Sequence, residues 1–138
     1  MALVLDTGVI YAALYRDDPD HEACASLLQE ATEQLIIPDP VLVELDYWLG
    51  QAASLDVWQQ FSDDVAVGAY ALWPVDSSLL SAASRLQRRF EDQPIGFVDA
   101  AVFCTCAALG EEKVATLDQR HFSVLRTEQG RSLDLLPH

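Results

Sequence analysis

Four carboxylates in this 138-residue sequence sit at places suited to chemistry: Asp6, Glu44, Asp99 and Asp118. Asp6 ends the apolar run Leu3–Leu5 and is followed by Thr7 and Gly8. Asp118 ends Val114-Ala-Thr-Leu117 in the same way, and Glu44 lies beside the apolar stripe of Leu42, Leu45 and Leu49. Asp99 is the only charge between Phe97 and Leu109. A buried carboxylate without a partner is costly and normally pairs or binds metal. Carboxylates brought together repel, so four of them stay ionised only around a cation. Oxygen ligands suit Mg²⁺ or Mn²⁺. Ions held so can lower the pKa of a bound water and stabilise a phosphoryl transition state, which is the chemistry of a metal-dependent phosphodiesterase. Plainer readings exist for three of the four: Asp6 and Asp118 as helix caps, Glu44 as a half-exposed helix acid. Only Asp99 resists one.

The elements that must position these groups follow from hydrophobic period and turn signals. Leu3–Leu5 reads as a buried strand, and ligands of open parallel sheets bind outside the carboxyl ends of strands. Val9–Tyr15 reads as a short helix stopped by Arg16-Asp-Asp-Pro19. Asp18-Pro19 predicts the start of a second helix running to Thr32, and Asp39-Pro40 that of a third running to Leu49, with Gly50 as its stop. Strands are expected at Leu35–Ile37, Tyr70–Val75, Val114–Leu117 and Leu133–Leu136. Further helices are expected at Leu55–Val67, Ser77–Phe90 (burying Leu79, Leu80, Ala83, Leu86 and Phe90) and Phe97–Leu109, then a turn from Gln119 to Ser123. The Phe97–Leu109 helix is apolar nearly all round and so lies between other elements. Strands alternating with helices predict an α/β fold with a mostly parallel sheet, formed as one domain over 1–138.

A net charge of −14 with only eight Lys and Arg argues against a charge-driven nucleic-acid binder. It does not exclude an enzyme that meets phosphates through divalent ions, and it favours a basic protein partner. No apolar run suffices to span a bilayer, and the N-terminus lacks a signal-peptide pattern, so a cytoplasmic protein is expected. Cys24, Cys104 and Cys106 fit buried free thiols in a reducing compartment.

Taken together, Leu5-Asp6-Thr7, Val43-Glu44-Leu45, Ile95-Gly96-Phe97-Val98-Asp99-Ala100 and Thr116-Leu117-Asp118-Gln119-Arg120-His121-Phe122 resemble the motifs of PIN-domain proteins. The particular likeness is to VapC-type ribonuclease toxins of toxin–antitoxin pairs, in motif order and spacing across nearly the whole chain. The resemblance implies a three-layer α/β/α sandwich. It also implies that Asp6, Glu44, Asp99 and Asp118 hold one or two Mg²⁺ or Mn²⁺ ions, with Thr7 and Thr116 in supporting roles. The implied activity is endonucleolytic cleavage of structured RNA such as tRNA or ribosomal RNA. The implied partners are a second copy of the chain and a cognate antitoxin that brings a basic side chain to the acidic cleft.

Scarce cations leave RNA contact to Arg85, Arg88, Arg89 and Arg120, the first three forming one helix face; a solvated face is the plain alternative. His21 is expected in solvent, and His121 packed near its turn without acting as a base. Asp46 should face away from Glu44. Trp48, Trp58 and Trp73 are expected in core or dimer packing. A phosphotransferase of the haloacid dehalogenase type would want an acid where Gly8 stands, and Asp76 is poorly placed for a receiver domain. The rival from another class is a catalytically silent module whose acidic pocket only holds a basic partner protein.

Overall fold

The computed structural model describes Met1–His138. Its strands are β1 (Ala2–Leu5), β2 (Gln34–Pro38), β3 (Ala71–Trp73), β4 (Lys113–Ala115) and β5 (Asp134–Leu136). Between them run α1 (Thr7–Leu14), α2 (His21–Glu30), α3 (Asp39–Ala52), α4 (Leu55–Ala66), α5 (Ser77–Arg89), α6 (Phe97–Leu109) and the single turn α7 (Gln119–Phe122). The strands form one fully parallel sheet in the order β3-β2-β1-β4-β5. The chain therefore begins at the centre, adds two strands on one side, then crosses to add two on the other. Every residue of β1 is buried because helices cover both faces of the sheet, as a parallel sheet requires. This is the three-layer α/β/α arrangement.

The reversal of strand order falls beside β1, between it and β4. There the two diverging connections leave a crevice outside the carboxyl ends of the strands. Asp6 stands at the end of β1, and its N–H still donates to Ala115 O at 2.8 Å. α6 packs on α5, β1 and β2, while α3 packs on α1, β2 and α6. The two acid-bearing helices thus meet over the same end of the sheet. Ala100 to Cys106 are all buried, and Gly110, in the left-handed region at φ +70, ends α6.

Several local expectations give way. Asp18-Pro19 does not open α2: Asp18 Oδ1 accepts the Asp20 N–H in a turn, and the helix starts at His21. A proline fixes φ equally well in a turn, so the signal could not choose. Gly50 lies inside α3, which runs on to Ala52. β3 and β4 are shorter than expected, which leaves Thr116 and Leu117 as a bridge between β4 and Asp118. Leu80 is 52% exposed, on the outer side of α5. Asp76 caps α5 by accepting the Leu79 N–H at 2.8 Å.

Candidate active site

At the crevice lies a cavity of about 640 Å³ lined by Asp6, Glu44, Asp99 and Asp118, together with Asp18, Tyr11 and Trp48. All four acids singled out in the sequence are thus brought together from β1's end, α3, α6 and the start of α7. Each is delivered by local structure. Asp6 caps α1, its Oδ1 accepting the Thr7 N–H at 2.8 Å. Asp118 caps α7, its Oδ1 accepting the His121 N–H at 3.1 Å. The capping and cluster readings of these two acids are therefore compatible. Asp99 sits in the first turn of α6 and Glu44 in the interior of α3.

Thr116 ties two of the acids. Its hydroxyl donates to Asp6 Oδ2 at 2.7 Å and accepts the Asp118 N–H at 3.0 Å. Thr7 is fully buried, and its Oγ1 has no hydrogen-bond partner.

The charges oppose one another. Burial drives the Asp6 carboxyl up to about 6 against the hydrogen bonds from Thr116 and Thr7, with Glu44 and Asp118 pushing the same way. Burial also takes Asp99 to about 7, and the fields of Asp6 and Asp118 add to it. Two carboxyl groups on the edge of protonation at neutral pH describe a cluster that lacks positive charge. His121 supplies the nearest. Its Nδ1 lies 2.8 Å from Asp118 Oδ2 and 2.9 Å from Asp99 Oδ2. Desolvation works against the imidazolium, but the bonds and fields of the two acids prevail and raise its pKa.

His121 is thus a member of the site, contrary to the expectation that it only packs near the turn. Its position three residues after Asp118, where a first-turn side chain returns toward its cap, was the available signal. Asp18 was missed because the helix-start role read from Asp18-Pro19 already explained it. Trp48 is 36% exposed and meets Tyr11 edge-on at 5.7 Å, forming part of the cavity wall instead of core. His21 is half-buried and not free in solvent: its Nδ1 is 2.8 Å from Ala12 O and ties α2 to α1. Asp46 is exposed and does not line the cavity, as its spacing from Glu44 required.

Among the arginines, Arg120 shares a second cavity of about 360 Å³ with His121. Arg85 and Arg89 line a third, while the exposed Arg88 lines neither. The three-residue basic face of α5 is therefore divided in use. All three cysteines are buried and free. No helix is long and apolar enough to cross a membrane.

A strand-order switch point ringed by acids defines a class of α/β protein, and the family follows. The chain belongs to the PIN domain family, whose model matches residues 3–127. It is 28% identical over 135 residues to Ribonuclease VapC26 of Mycobacterium tuberculosis, covering 98% of this chain and 100% of that protein. Among solved structures, VapC20 of M. tuberculosis, described as a sarcin–ricin loop cleaving toxin, superposes with a TM-score of 0.73 at 18% identity. That match covers 81% of this chain and 86% of the other. VapBC2 from Rickettsia felis, solved on a promoter DNA fragment, gives a TM-score of 0.65 at 19% identity over 98% and 97% of the two chains. At these identities the structural likenesses speak for the fold.

Proposed function

We propose that this protein is a divalent-metal-dependent endoribonuclease and the toxin of a toxin–antitoxin pair. The observation that carries the reading is the convergence of Asp6, Glu44, Asp99 and Asp118 on one cavity at the sheet's switch point. The full-length likeness to a protein named a ribonuclease supports RNA as the substrate.

The donor set fits a hard divalent ion. Its four acids offer oxygens, His121 Nδ1 joins Asp99 and Asp118 in a group whose ligand atoms lie within 4.8 Å of one another, and the raised Asp6 and Asp99 carboxyls mark missing positive charge. Asp6, Glu44, Asp99 and Asp118 would hold Mg²⁺ or Mn²⁺, one or two ions. Bound there, such an ion supplies charge neutralisation at the phosphodiester and activation of water for in-line attack. The chain's own residues do the rest. Thr116 fixes the Asp6 carboxylate and, through the Asp118 N–H, the turn that carries Asp118. His121 Nδ1 bridges the Asp99 and Asp118 carboxylates and offsets the repulsion between them. The burial of Asp6 keeps water from screening its own carboxylate, so charge placed beside it acts strongly.

The partner reading rests on the same cavity. An arginine of an antitoxin would meet five carboxylates and the Tyr11–Trp48 pair, an environment suited to guanidinium. Several solved structures that share this fold are toxin–antitoxin complexes. A homodimer belongs to the reading as well: Val43 and Tyr47, 75% and 66% exposed and one turn apart on α3, are apolar surface for an assembly to cover.

The deciding experiment is digestion of total cellular RNA by the purified protein with Mg²⁺, Mn²⁺ or EDTA, beside Asp99→Asn. Discrete fragments that require metal and vanish in the variant are expected. Intact RNA under every metal, with folded protein, would move the reading to the silent acidic-pocket module.

A further inference from the structure

The cavity opposite in sign to the active site is the one on α5 and α6. It measures about 580 Å³ and lies between those helices and the 126–131 turn. Arg85, Arg89, Arg126 and Arg131 line it, half of the eight basic residues in a chain of net charge −14. They come from segments some forty residues apart, so only the fold gathers them.

The cavity is a constructed feature. Arg126 pairs with Ser132 in an antiparallel bridge, and the turn is closed by Thr127 N–H to Arg131 O at 2.8 Å and Arg131 N–H to Thr127 Oγ1 at 3.1 Å. Arg126 Nη1 donates to Ser123 O at 2.6 Å and to Leu125 O at 2.9 Å, which aims its guanidinium. Glu111, Glu112 and Glu128 share the cavity and leave its lining a single positive charge in excess; Glu111 accepts the Ala2 N–H at 3.0 Å, and Glu112 pairs with Arg131. Arg85 and Arg89 have no carboxylate within ion-pair distance.

We propose that this arginine cavity is an exosite for the phosphodiester backbone of the RNA substrate, outside the acidic cluster. The proposal rests on the nuclease reading above. Guanidinium forks suit phosphate oxygens, and all four cations here are arginines. Sequence-independent affinity for RNA comes from cations on phosphates, and in so acidic a chain it must be concentrated where cations gather. The α6 wall of the cavity, Phe103 to Gly110, lies about 6–16 Å along the helix axis from Asp99. Glu111 bonds the amino end of β1, so the cavity lies toward the end of the sheet opposite the acids, and a folded RNA would reach around the α5–α6 side to present a scissile bond to the acids and flanking phosphates to the arginines. An acidic protein segment would suit the arginines too; the nuclease reading favours RNA, and the test below separates the two.

The test is filter binding of end-labelled total cellular RNA, with Ca²⁺ replacing the active metal, from about 50 to 200 mM salt. Arg85→Ala/Arg89→Ala should weaken binding roughly tenfold or more and lower the salt slope by about two. Arg16→Ala, an exposed arginine elsewhere, should bind as the wild type does. Equal binding by the double variant, or no RNA binding by the wild type, would overturn the exosite. So would unchanged RNA affinity with a weakened antitoxin complex, which would assign the arginines to protein. Failure of the nuclease reading shows itself separately, as absence of metal-dependent cleavage by wild-type protein.

Discussion

The Thr116 hydroxyl reaches across the sheet to the Asp6 carboxylate, 110 residues away in sequence and 2.7 Å away in space. Strands β1 and β4 are parallel neighbours, with Val4 opposite Val114 and Leu5 opposite Ala115. The next step up each strand places Asp6 beside Thr116. Thr116→Val keeps the volume but leaves Asp6 Oδ2 and the Asp118 N–H without their partner. Urea denaturation should show a loss of about 1–3 kcal/mol, and divalent affinity should fall roughly 10- to 100-fold, the usual effect of losing an outer support of a metal ligand. Thr116→Ser should recover most of both.

Asp99→Asn should separate stability from function. Removing one of several mutually repelling carboxylates relieves the metal-free fold, so its melting temperature should rise. The same change should lower cleavage by about a hundredfold or more, since it takes away a ligand and not merely its support. A variant that melts lower than wild type in EDTA would contradict the repulsion argument.

Asp6 is raised from 3.8 to about 6 and Asp99 from 3.8 to about 7. Between the ordinary value and these raised ones, the folded state holds protons that the unfolded chain has released. Stability without divalent ion is therefore greatest below that window and falls as pH rises through it. The Asp6 shift alone corresponds to a loss on the order of 3 kcal/mol by neutral pH. Denaturant midpoints measured in EDTA from pH 4 to 8 should decline, and saturating Mn²⁺ should flatten the upper part of the curve.

Divalent binding should release protons. His121 Nδ1 contacts one oxygen each of Asp99 and Asp118, two of the acids that would hold the cation, and burial raises the Asp99 carboxyl to about 7. Titration calorimetry in buffers of different ionisation enthalpy should give heats that vary with the buffer, and apparent affinity should increase with pH. Buffer-independent heats would mean that the cation binds without displacing these protons.

The sequence by itself determined the elements and the four acids. An apolar run that ends in Asp, as at Leu3–Asp6, and a helix whose one charge is Asp99 are local patterns, written by the 2.0 and 3.6 residue periods. They sufficed for an α/β chain and offered Asp6, Glu44, Asp99 and Asp118 as candidates, with a plainer reading for each but Asp99 until the motif resemblance weighted them together. Strand order was not local. Only the tertiary structure put β1 between β2 and β4, and that neighbourhood paired Thr116 with Asp6. The same holds for Asp18 and Trp48. Each had a sufficient local explanation, a helix start for Asp18 and core or dimer packing for Trp48, and both line the cavity, Trp48 through the packing of α3 against α1. His121 illustrates the limit differently: its spacing from Asp118 was visible, but the second carboxylate at 2.9 Å arrives from α6. The arginines divide for the same reason. Helical spacing joined Arg85, Arg88 and Arg89, whereas the fold selected Arg85 and Arg89 and set Arg126 and Arg131 opposite them. Charge acts through space, and a sequence records only separation along the chain.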